Sequence, residues 1–132
     1  MSWLLVFTMA LDMALGELPP QPLAADQCAM ALWDKSSQKR IAFWPAASPL
    51  LLATTPTPSG LAPEPGSGEG TPVLGLLPRA SFSADGLSAR LDVEISANPG
   101  SKSATIPSGT LTLTTPDGTA RIIPVAGIIG CG

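Results

Sequence analysis

The chain has 132 residues, a formal net charge of −3, and neither His nor Tyr. Without histidine, Ser-His-Asp and Cys-His catalytic arrangements and a closed zinc site built on the two cysteines are excluded. The weak acidic balance argues against a nucleic-acid footprint, which needs a clustered basic face. Pro and Gly (15 and 13 residues) exceed average usage, yet apolar residues make up 45%, too many for a disordered chain. The length suits one domain.

The chain opens with MSWLLVFTMALDMALGELPPQPLAADQC. Residues 3–15 are apolar apart from Thr8 and Asp12, a run shorter than the roughly 20 residues of a membrane span. Pro19, Pro20 and Pro22 break it, and the small Ala24 and Ala25 offer a cleavage region. A hydrophobic, signal-like helix is therefore expected over residues 1–25, as a signal peptide or an uncleaved anchor. No Lys or Arg precedes the apolar run. Membrane contact is expected only through residues 1–18. Asp26 and Gln27 before Cys28 do not match a lipidation motif.

Residues 26–132 are expected to form a single β-domain. From Asp26 onward the charges nearly cancel, with eight Asp/Glu and seven Lys/Arg. Its two cysteines, Cys28 and Cys131, stand near the two ends, and with no CxxC spacing and no histidine base they are expected to form one disulfide. Such a bridge suits an oxidising compartment, periplasmic or extracellular. It would tie down the last strand, whose end is otherwise free to fray.

Within CAMALWDKSSQKRIAFW, apolar runs at residues 28–33 and 41–44 flank seven polar residues, the pattern of a hairpin with a polar tip. A helix is the alternative reading. Lys35, Lys39 and Arg40 form a basic cluster at that tip, and Trp33 and Trp44 flank it. These five residues are the candidate partner-binding set. The plain alternatives are a solvated turn and two packing tryptophans. SPLLLATT reads as a third short strand. The stretch TTPTPSGLAPEPGSGEGTP, residues 54–72, carries five prolines and four glycines and is expected to be a long, mobile surface loop, dispensable for folding.

Past Asp85-Gly86, a turn signal, Leu87, Ala89, Leu91, Val93 and Ile95 alternate with Ser88, Arg90, Asp92 and Glu94. That period of two marks a half-buried strand with a charged outer face. Asp92 and Glu94 share that face and are candidate acid and base or cation ligands, but Arg90 beside them makes a solvated face the simpler reading. GSKS at residues 100–103 matches the tail of a P-loop, but Ile95 stands where the loop's first glycine is required. In GTLTLTTPDGTARIIPV, Pro116, Asp117 and Gly118 suit a type I turn closed by a left-handed glycine. Pro124 cannot donate to a ladder and is expected at an edge or a strand end.

Strands at short spacing with Pro/Gly turns predict an all-β fold, a small antiparallel β-sandwich or partly open barrel. No cofactor and no metal site is expected. The functional expectation is an exported, non-catalytic module that binds or scaffolds a protein partner in the cell envelope. The alternative is an accessory subunit of a membrane-associated assembly, docked through a retained N-terminus.

Overall fold

The structure is a computed structural model that describes residues 15–55 and 57–132. The described residues are all-β. In chain order the strands are β1 (Cys28–Asp34), β2 (Arg40–Pro45), β3 (Leu50–Leu52), β4 (Ser59–Pro63), β5 (Arg79–Ala84), β6 (Leu87–Val93), β7 (Ser96–Ala97), β8 (Ser103–Thr114) and β9 (Ala120–Cys131). Each pairs antiparallel with its neighbours, β1 pairs with β9, and β6 pairs with β8. That last pairing closes the sheet into an eight-stranded antiparallel barrel, in place of the expected sandwich or partly open barrel. The two-residue β7 lies outside the ring, paired to the start of β8.

Alternation builds the barrel interior. Met30, Leu32, Trp44, Leu50, Leu52, Leu61, Phe82, Leu91, Leu111, Leu113, Val125 and Ile129 are all buried, and among the described residues no polar side chain is buried with them. Eight strands leave a lumen that side chains just fill. Trp44 and Phe82 meet edge to face at 4.9 Å near its middle.

Two tight turns follow their sequence signals. Asp85 and Gly86 both take positive φ (51° and 83°), the type I′ turn that matches strand twist. Between β8 and β9, the Gly118 N–H donates to Thr115 O at 2.9 Å, and Gly118 has φ 89°. The Asp117 carboxylate accepts from the Thr115 hydroxyl and from the Thr119 N–H, pinning the loop.

Closure requires bends, and they fall at irregular positions. The β1–β2 register slips between Leu32 and Trp33, making Ile41 the extra residue. The β8–β9 register slips between Ile106 and Gly109, where Pro107 and Ser108 face a single residue of β9. Such bulges sharpen local twist. Next to this one lies Gly127, paired with Ile106 and Leu32. A Cβ there would run into the carbonyl oxygen of Ala31 and stand 2.8 Å from Leu32 Cδ2. Pro124 lies within β9 rather than at its end. It pairs with Thr110, and its carbonyl accepts from the Lys35 N–H at 3.0 Å, just past the last β1–β9 pair. Its missing N–H is oriented away from β8 and therefore costs no ladder bond.

The stretch 54–72 departs from its expectation. It contains β4, which pairs with both β3 and β5, and Leu61 within it is fully buried. Ser67 Oγ then donates to Glu64 O at 2.8 Å and accepts from the Ser81 N–H at 3.1 Å, holding the following turn against β5. Proline and glycine density masked a wall strand with one inward leucine, so the segment is not dispensable.

Of the helix expected over residues 1–25, residues 1–14 lie outside the described residues. There is no helix among those described. Leu15 bridges Thr54, the Gly16 N–H donates to Ala53 O at 2.8 Å, and Leu18 is 1% exposed. Residues 15–24 thus form an extended strap on the barrel, continuous with it across the boundary expected at residue 25.

Two substitutions test these turns and bends. Gly127→Ala is expected to cost about 2 kcal/mol, because the obstacle is backbone that cannot swing aside. Thermal melting should show Tm lower by roughly 5–10 °C, while Gly130→Ala, with nothing within 4 Å of its Cβ position, should leave Tm nearly unchanged. Gly118 also has open space around it, so any cost there is conformational. Gly118→Val should destabilise by about 1–2 kcal/mol, more than Thr114→Val in the strand, and urea midpoints in the opposite order would refute the turn assignment.

Candidate functional site

The outer wall of the barrel has two halves of different chemistry. On β5, β6 and β8 the outward residues are Arg79, Ser81, Ser88, Arg90, Asp92, Thr110 and Thr112, which face one another across the strands. Arg90 reaches Glu69 at 3.6 Å and donates to Ser81 Oγ at 3.2 Å. Asp92 and Glu94 are exposed here, with Arg79 opposite Asp92. This is a solvated charged face, as the alternation indicated.

On β1, β2, β3 and β9 the outward residues are apolar apart from Arg40 at the start of β2. One row runs Ile128, Ala31, Phe43, Leu51, directly opposite one another on successive strands. A neighbouring row places Trp33 between Arg40 and Ala126. Along β9 the outward positions are Ile122, Pro124, Ala126, Ile128 and Gly130, with no polar side chain among them. Ile122 and Ile128 are 67% and 49% exposed, large for aliphatic side chains.

The strap covers part of this half. Leu18 N–H donates to Arg40 O at 2.8 Å, and Arg40 Nη1 donates back to Leu18 O at 3.3 Å. Beyond that anchor, Pro20, Gln21 and Leu23 arch over Ala29, Ala31, Phe43, Ile128 and Gly130, leaving a groove of about 240 Å³. Arg40 is its one charged lining residue.

The candidate residues are distributed over this geometry as follows. Cys28 and Cys131 are directly opposite in the β1–β9 ladder, Cα atoms 4.0 Å apart, and are joined by a disulfide. Trp33 and Trp44 do not form one platform, because an odd number of strand positions and the β1–β2 slip separate their faces. Trp44 points into the core, its indole N–H donating to Ser48 O at 3.0 Å. Trp33 is half-buried on the outside. Lys35 and Lys39 are exposed at the hairpin tip, and Arg40 begins β2. What sequence reasoning missed is the apolar outer half. Its signal was present in IIPVAGIIG, apolar at both parities, which marks a strand covered on both faces.

Asp34 shapes the tip. Its carboxylate accepts from the Ser36 hydroxyl at 2.6 Å and the Ser36 N–H at 2.9 Å. The Ser36 hydroxyl above all, with the neighbouring backbone N–H groups and the positive Arg121, outweighs slight burial and holds this carboxyl below its ordinary value. A lowered folded-state pKa contributes stability that is present above the unfolded value of about 3.9 and is lost as pH falls through the folded one. Asp34→Asn should therefore be less stable than the parent at neutral pH, with the gap narrowing below about pH 4. A gap that stays constant in urea titrations down to about pH 2 would show the Ser36 contacts to be inconsequential. Among the described residues no group of three or more His, Cys, Asp or Glu is placed to hold a metal ion. No protein-family model, curated protein or solved structure matches this chain.

Proposed function

We propose that the protein is an exported, non-catalytic β-domain that binds or scaffolds within the cell envelope, docking through the outward apolar face of β1, β2, β3 and β9. The observation that carries this reading is the two-sided outer wall. Contiguous apolar surface on a folded chain marks an interaction site more often than chance exposure, and here it gives way, through the threonines of β8, to a charged face on β5 and β6. The Cys28–Cys131 disulfide is compatible with an oxidising periplasmic or extracellular setting. The titratable groups support binding over turnover: Asp92 and Glu94 lie on an exposed strand face with Arg90, away from the groove.

A second reading draws on the strap. If residues 15–24 are packed in the working protein, as Leu18 is here, the N-terminal segment is retained and helps to dock an accessory subunit. Intact mass of the protein recovered from its native envelope separates the two: a chain starting near Asp26 supports export with cleavage, and an intact Met1 supports the accessory subunit.

Photo-crosslinking tests the docking face itself. A crosslinker replacing Ile128 or Ile122 is expected to trap an envelope component, and one replacing Ser81 on β5, across the barrel, is not. Equal trapping from both walls, or none from either, would overturn the proposal.

A further inference from the structure

We propose that the apolar strip along β9, with the basic end of the β1–β2 hairpin, seats the protein on an anionic lipid surface. This rests on the docking reading above and names the occupant of the same face. Ile122, Pro124, Ala126 and Ile128 span three outward intervals, roughly 20 Å along the strand. The strap reaches only the Ile128 end of this strip, and Ile122 and Ile128 remain the most exposed large apolar side chains among the described residues.

Charge selects the occupant. Lys35, Lys39, Arg40 and Arg121 gather at one end of the strip, where the Lys35 N–H meets Pro124 O and Arg121 acts on the Asp34 carboxyl. Asp34 is the one carboxylate in the β1–β2 hairpin. The remaining three cations, Arg79, Arg90 and Lys102, lie elsewhere; Glu64, Glu69, Asp85, Asp92 and Glu94 fall on or beside β4, β5 and β6, while Glu17 and Asp26 precede β1 and Asp117 lies in the β8–β9 turn. The molecule therefore presents a basic, apolar side and an acidic, polar side. Trp33 stands between the strip and the cations, where its ring and indole N–H suit the boundary of hydrocarbon and headgroups.

The charged outer wall of β5, β6 and β8, and the apolar lumen, are the reverse of a membrane-spanning barrel, whose outside is apolar all round. So this face lies on a bilayer. A second copy suits it less well. A stable dimer needs about 800 Å² from each partner, more than a strip one strand wide supplies.

The test is flotation of the full chain with vesicles of phosphatidylcholine alone or with phosphatidylglycerol. Binding is expected to the anionic vesicles and to weaken with salt. Each lysine near a charged surface contributes about fivefold in affinity, so Lys35→Gln with Lys39→Gln should weaken binding about thirtyfold. Ile122→Ser with Ile128→Ser should abolish it. Both pairs are exposed, and an unchanged Tm confirms that the variants fold. Equal binding to neutral vesicles, or full binding by the isoleucine variant, would overturn the proposal and place lipid contact elsewhere on the chain. If anionic vesicles do not bind while Ile128 crosslinks a protein, the lipid assignment falls and the docking face stands. If neither occurs, both fall.

Discussion

The pairing of the first wall strand with the last is the constraint on which the rest of the structure depends. A barrel of short antiparallel hairpins closes only when β1 finds β9, and that contact joins residues more than a hundred positions apart. Bringing such distant segments together is the costly step, since the entropy of loop closure must be met before any ladder forms. The Cys28–Cys131 bridge removes that cost from the unfolded chain, by as much as about 4.7 kcal/mol in the chain-entropy account. It does so at the end of the β1–β9 ladder, so the staple and the seam are one element. The strong β8–β9 hairpin and the Gly127 corner are then aligned by that seam.

Closure also explains why the two faces of the wall differ. β9 must pack inward with Ile123, Val125 and Ile129 against the lumen, which accounts for half of its apolar residues. The other half has no such duty. Part of it lies near the strap, whose Leu18 exchanges backbone and guanidinium bonds with Arg40 of β2. The exposed remainder is what gives the barrel a side. A fold that needed only a core would have placed threonines on β9, as it does on the facing strand, where Thr105, Thr110 and Thr112 are all outward.

Much of the wall was legible in the residues. The alternation read from Leu87 to Ile95, which forms a strand as far as Val93, the turns at Asp85-Gly86 and Pro116-Asp117-Gly118, and the hairpin of residues 28–44 are local signals, each set by a few neighbouring residues. The cysteine pairing was legible by elimination. Barrel closure was not, because whether β6 meets β8 depends on twist accumulated over many strands. β4 was hidden for a different reason: Gly60 and Pro63 flank Leu61, and propensity outvoted the single inward side chain that decides the matter. The tryptophans were misread as a pair because one bulge at Ile41 changes which face each later residue takes, and a bulge has no reliable sequence mark. At the site, the basic tip was visible while the apolar outer half was not. A both-parity apolar run was counted as core, when only half of it faces the core.

The bridge between the outermost wall strands has a topological consequence. Residues 28–131 form a covalent ring, with residues 1–27 and Gly132 outside it. A protease that cuts one exposed turn of that ring, at the Lys-rich hairpin tip or beyond Pro63, opens a macrocycle without releasing a fragment. The severed ends stay within the same molecule, held by ladders on both sides of the cut, and two separate cuts are needed before any piece can leave. A chain nicked once therefore stays one covalent molecule until a reductant reaches the sulfurs.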